Sequence, residues 1–205
     1  MIINYELIII NKMETDKLIL KMLLKEFSLE HTITSLSKEA GISRVGAWKI
    51  LKKLEKENLI LLSRLGEGKT SINKVTLNWN NLVLEKTLAL ILAEEAVKNN
   101  RWINAFKDLE NKVDFLIIYG SIIYSSKEAN DIDVIEITNK FLEVEKIITK
   151  IQKTQMKKIH AINMTQKEFR EELQKNNAFM DAVKKGIILF GQERFIKFME
   201  GINTK

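Results

Sequence analysis

The chain has 205 residues, 33 Lys+Arg against 27 Asp+Glu for a net charge of +6, 45% hydrophobic residues, and neither Cys nor Pro. That length and apolar content predict a folded chain of one large domain or two small ones, and the lack of cysteine excludes disulfides, thiol nucleophiles and thiolate metal sites. Two histidines, His31 and His160, are too few for a histidine-built cluster, which leaves carboxylate–metal chemistry, phosphate chemistry or binding.

Apolar runs such as Leu88–Ala93 are far shorter than the roughly 20 residues of a membrane span, and Met1–Ile10 lacks the basic start of a signal peptide. The expectation is an intracellular, cytoplasmic, soluble protein. Its charge is uneven. Residues 1–80 hold 13 Lys/Arg and 9 Asp/Glu, and Lys38–Lys74 alone holds nine basic residues against four acids, a footprint suited to nucleic acid.

In chain order, Met13–Phe27 carries a helical apolar stripe of Leu18, Ile19, Met22, Leu23 and Phe27. Thr34 is placed to cap a short helix through Ala40, Gly41 to turn the chain at positive φ, and Ser43 to cap a longer helix reaching Glu57. In that second helix Ala47, Ile50, Leu51 and Leu54 form the core stripe, leaving Arg44, Val45, Trp48, Lys49, Lys52 and Lys53 on the outer face or its flanks. Leu59–Leu65 and Ser71–Leu77 then read as strands around the turn Gly66-Glu67-Gly68-Lys69.

The stretch LSKEAGISRVGAWKILKKLEKENLILLSRLGEGKTSINKVTLN resembles a winged helix-turn-helix domain. The resemblance implies that the Ser43–Glu57 helix enters the major groove of double-stranded DNA and that the Arg64–Lys74 tip follows phosphate or the minor groove. Arg44, Trp48, Lys49, Lys52, Lys53, Arg64 and Lys69 are the candidate DNA-binding residues, although Trp48 also reads as a packing or interdomain residue and Lys52 and Lys53 as a solvated face. Dimerisation is common among winged-helix regulators, so a homodimer is expected.

Trp79–Asn100 and Arg101–Lys112 read as amphipathic helices, making residues 81–112 a helical connector between domains at 1–80 and 113–205, or helices that pack on their own domain or in a dimer contact. From Val113 the run VDFLIIY predicts a buried strand, followed by Gly120-Ser121, a polar loop to Asn130 and the strand DIDVIEI. Helix Lys140–Lys153, strand Lys157–Met164 and helix Gln166–Lys175 continue the alternation, so the second domain is mixed and the whole chain α+β.

Asp131 and Asp133 are two apart on a strand and so share a face, an arrangement suited to a divalent cation. Gly120 permits close backbone approach, and Ser121 can offer hydroxyl and N–H to phosphate if a helix begins there. The segment YGSIIYSSKEANDIDVIEI resembles the Gly-Ser plus Asp-x-Asp signature of the polymerase-beta-like nucleotidyltransferase superfamily, its minimal nucleotidyltransferases in particular, and KKGIILFGQERF resembles that family's usual end. The resemblance implies a small mixed-sheet domain in which Gly120 and Ser121 bind nucleotide phosphate, and Asp131 and Asp133 are catalytic ligands of Mg²⁺. An acceptor oxygen would attack the α-phosphate of a nucleoside triphosphate. It also admits a helical, toxin-like protein partner.

Three positions depart from that pattern. Lys157–Thr165 contains no Asp or Glu, so Asn163 or His160 stands where the family places a third carboxylate, while the family's nearby basic residue and glycine appear as Tyr124 and Ser125. Glu136, in the opposite strand parity to the two aspartates, is a poor substitute. His160, on an otherwise apolar strand, reads as a semi-buried histidine. The sequence therefore predicts a DNA-binding protein whose nucleotidyltransferase-like domain binds nucleotide–Mg²⁺ with impaired catalysis, with an active nucleotidyltransferase as the alternative.

Overall fold

The computed structural model describes residues 15–26, 30–65 and 72–203, and the chain divides into two compact units, Met1–Leu88 and Ala89–Lys205. In the first, α1 (residues 15–25) buries Ile19, Leu20, Met22, Leu23 and Leu24. Helix α2 (Ile33–Glu39) starts two residues earlier than expected. Its cap is Thr32, not Thr34: the Ser35 N–H donates to Thr32 Oγ1 at 3.1 Å while Ser35 Oγ accepts from the Thr32 N–H at 2.8 Å. A serine at the third helical position makes that reciprocal pair possible.

After Gly41, at φ +66°, Ser43 caps α3 (Arg44–Lys56), its Oγ accepting from the Gly46 N–H at 3.0 Å. Ala47, Ile50, Leu51 and Leu54 form the helix's buried stripe. Asn58, at φ +57°, ends the turn and sends the chain into β1 (Ile60–Leu65), which pairs antiparallel with β2 (Ile72–Leu77). An isolated bridge from Thr32 to Lys74 ties the α1–α2 connection to the same ladder. The expected turn at Gly66–Lys69 lies outside the described residues.

Helix α4 (Leu82–Val97) is shorter than the expected Trp79–Asn100, because the Asn81 side chain accepts from the Val83 N–H at 2.9 Å and sets its start. The division between the two units falls inside this helix. Helix α5 (Asn100–Phe106) and a 3-10 turn at Lys107–Leu109 replace the expected helix to Lys112, and Trp102, Phe106 and Leu109 pack in the core of the second unit.

That unit is built on β3 (Phe115–Tyr119), β4 (Asp131–Ile137), β5 (Lys158–Met164) and β6 (Ile187–Phe190), in the order β5-β4-β3-β6. The β4–β5 pair is parallel and the others are antiparallel, with α6 (Phe141–Gln152) making the crossover. Thr165 caps α7 (Gln166–Lys175) in a reciprocal pair with Glu168, and α8 (Asn177–Lys185) and α9 (Gln192–Asn203) complete the unit. Leu116, Ile118, Ile132 and Val134 face the aliphatic core with Trp102, Phe106 and Val144. The other face packs Phe115 against Phe169 and Phe195 at ring-centroid distances of 5.3 and 5.4 Å. The chain is thus mixed α+β with small sheets.

Candidate functional site

Strand β3 delivers Tyr119 to its end, Gly120 turns the chain at φ +80° and ψ −165°, and a three-residue 3-10 turn follows at Ser121–Ile123. Buried Ile122 and Ala129 anchor the loop, and the Lys157 ammonium donates to the Ala129 carbonyl. The chain then re-enters the sheet at Asp131. Because side chains alternate along a strand, Asp131 and Asp133 lie on one face, and Asp133 is the register partner of Tyr119 on one side and His160 on the other.

His160 Nδ1 lies 3.2 Å from Asp131 Oδ2 and 3.6 Å from Asp133 Oδ1. One donor atom from each of the three side chains falls within 4.8 Å of the others. Gly120 is fitted to the group: a Cβ there would collide with Asp133 Oδ2, and its backbone conformation is one that glycine alone adopts readily.

Partial burial raises the Asp133 pKa, and the neighbouring Asp131 carboxylate raises it further, while His160 acts in the opposite direction. The Tyr119 hydroxyl is likewise raised, by burial first and then by Asp133 and Asp131. Like charges held together in a partly desolvated place favour a cation between them. Two carboxylates and an imidazole fit a divalent ion, and the nitrogen donor suits Mn²⁺ or Zn²⁺ better than Mg²⁺, which prefers an all-oxygen shell.

Of the residues expected here, Gly120, Asp131 and Asp133 converge. Ser121 sits beside them, exposed, but it opens a 3-10 turn of three residues, so the helix start on which its phosphate role was conditioned does not form. The expected semi-buried histidine is corrected: the His160 side chain is 45% exposed and directed at the aspartates, because β5 is an edge strand and its near face stays open. Asn163 pairs in register with Glu136, on the opposite face. Glu136 is fully buried there, its side-chain oxygens have no hydrogen-bond partner, and burial pushes its carboxyl up to about 8.

Sequence reading missed Tyr119, whose signal was its place on the strand next to Gly120, with the parity that faces Asp133. A cleft of about 410 Å³ opens farther along β5 between Ile162, Asn163, Glu168, Glu171, Glu172 and Phe179. Three carboxylates and no cation in that lining make it unsuited to a triphosphate.

In the first unit Arg44, Val45, Lys49 and Lys52 are exposed on α3, and Trp48 is 37% exposed with Lys52 Nζ 4.7 Å from its ring centroid. Lys52 also pairs with Glu55 at 2.7 Å. Lys53 is exposed as well, but its ammonium is ion-paired to the buried Asp16 of α1, whose hydrogen bond is the main cause of its raised pKa. Arg64 is exposed on β1, whereas Lys69 lies outside the described residues.

Compared with protein-family models, curated proteins and solved structures, the chain gives no significant match. Among the described residues no helix is long and apolar enough to cross a membrane.

Proposed function

We propose that the protein binds double-stranded DNA through a winged helix-turn-helix in its first unit and carries in its second, whose core includes α5, a minimal-nucleotidyltransferase-like domain. That domain binds a nucleoside triphosphate with a divalent cation, Mg²⁺ or Mn²⁺, and is catalytically impaired; the protein acts as a regulator and as a homodimer. The observation that carries the reading is the fit of Gly120 against Asp133 with Asp131 on the same face.

A bound cation would neutralise triphosphate charge at this place. Asp131 and Asp133 would hold it, and the backbone at Gly120-Ser121 can approach phosphate oxygens because Gly120 has no side chain. Tyr119, kept protonated by its surroundings, can donate a hydrogen bond to the same oxygens. No anionic general base stands on β5, since its residues include no Asp or Glu, and this supports impaired catalysis.

DNA binding is tested by gel retention at moderate salt. Arg44→Glu with Lys49→Glu should abolish retention, and unchanged retention would discard the α3 face. Nucleotide binding is tested by equilibrium dialysis of ATP with Mn²⁺, which Asp131→Asn with Asp133→Asn should eliminate.

A second reading is an active nucleotidyltransferase acting on a protein or nucleic-acid acceptor. It is favoured by the placement of His160 Nδ1 3.2 Å from Asp131, where a carboxylate-oriented imidazole can accept a hydroxyl proton. Transfer of labelled nucleotide to a lysate component, lost in Asp131→Asn/Asp133→Asn, would select it.

A further inference from the structure

The first unit contains a second group of metal-type donors, independent of the aspartate site and of the DNA-binding reading. Glu26 follows the last turn of α1, His31 lies in the extended segment before α2, and Glu39 ends α2. One donor atom from each lies within 4.8 Å of the other two. Three separate segments therefore bring an imidazole and two carboxylates to one place.

Its construction is specific. Glu26 is 3% exposed and His31 5%, so packing holds their donor atoms in position, while Glu39 is exposed and leaves a way in from solvent. The His31 backbone is pinned from the other side, its carbonyl accepting from the Val75 N–H on β2 at 2.8 Å. The His31 ring is pinned too: Nε2 lies 3.0 Å from the Glu26 carbonyl oxygen. A carbonyl only accepts, so Nε2 is the donor in this bond, and a metal ion would be ligated through Nδ1. An imidazole oriented by a backbone carbonyl through one nitrogen is prepared to coordinate through the other.

We propose that Glu26, His31 and Glu39 form a site for a borderline divalent transition ion of the Zn²⁺, Mn²⁺, Fe²⁺ or Co²⁺ class. One nitrogen and two carboxylate donors match that class better than Ca²⁺ or Mg²⁺, which take all-oxygen shells. Three protein ligands leave at least one position to water, so the ion exchanges with solvent. Bound there, it joins the end of α1 to the end of α2, immediately before the Gly41 turn that leads into α3. Occupancy therefore stabilises the first unit, because the unfolded chain does not hold the three donors together.

The test uses the full chain with Asp131→Asn and Asp133→Asn in place, which removes the aspartate site from the count. Zn²⁺ is titrated calorimetrically into chelator-treated protein near neutral pH, and Co²⁺ is followed by its visible absorption. The expected result is one equivalent of Zn²⁺, a Co²⁺ spectrum displaced from that of the hydrated ion, and a rise in the unfolding temperature with Zn²⁺. Glu39→Gln, at an exposed position that leaves folding intact, should weaken binding by about tenfold or more, and His31→Gln should remove the Co²⁺ spectrum. Absence of Zn²⁺ binding, or undiminished affinity in Glu39→Gln, overturns the site.

Discussion

The two faces of the β4–β5 pair carry acidic residues to opposite ends. On one, Asp131 and Asp133 remain partly open to solvent beside His160, close enough that their charges work against each other. On the other, Glu136 is fully buried among aliphatic side chains with neither oxygen hydrogen-bonded, and it is neutral at ordinary pH. A carboxylate that stays charged at a cost has an external use for its charge. A carboxyl that gives its charge up has none, which is why the proposed cation site falls on the first face.

The largest effect should come from breaking that contrast at Glu136. Its folded pKa is about 8 against an ordinary value of 4.5. Between those values the folded chain holds a proton that the unfolded chain releases, so stability falls as pH rises from about 4.5 to about 8. Full linkage over that window bounds the effect at about 4 to 5 kcal/mol. Urea unfolding of Glu136→Gln across this range should show a much flatter pH dependence than wild type. A wild type with no such slope would mean that the carboxyl finds a partner in solution.

Next in size is Gly120→Ala, which forces an L residue into a glycine-only conformation and drives a methyl group into Asp133 Oδ2. A stability loss of about 1–3 kcal/mol is expected, together with loss of Mn²⁺ binding measured by calorimetry. Retained binding would show that the turn does not position Asp133.

A smaller effect separates the two polar residues of β5. His160→Ala should weaken Mn²⁺ binding by about tenfold, or roughly 1.4 kcal/mol, whereas Asn163→Ala should leave it unchanged, because Asn163 belongs to the Glu136 face. The reverse result would mean that the register of β5 is displaced by one residue.

That pair also marks where the sequence stops being legible. Asp131–Ile137 and Gln166–Lys175 can be read directly, the first from alternation and the second from periodicity behind a Thr–Glu capping pair. The outer face of α3 follows from its apolar stripe, yet Lys53 lies there by sequence and pairs with Asp16, which is 37 residues away. Choosing between His160 and Asn163 needs the parallel register of β4 on β5, a non-local quantity that no local pattern carries. The same holds for Tyr119, and for Glu26, His31 and Glu39, whose spacings of five and eight residues meet only after α1 and α2 fold back on each other. Strand β6 is hidden for another reason: Ile187–Phe190 is four residues long, and so short an apolar run gives no period to count.

The smallest expected change in stability is the most discriminating. The Asp133 carboxylate works against partial burial and against Asp131, with His160 offsetting only part of this, so Asp133→Asn removes an unfavourable charge without altering shape. Its unfolding free energy should stay within about 1 kcal/mol of wild type or rise, while Mn²⁺ and nucleotide binding disappear. A pair of aspartates that merely opened a strand after a solvated turn would behave oppositely, giving a loss of stability and no effect on the cation. Measuring both quantities on one variant distinguishes these cases, because repulsion between the carboxylates predicts that stability and binding move apart, and a structural role predicts that only stability moves.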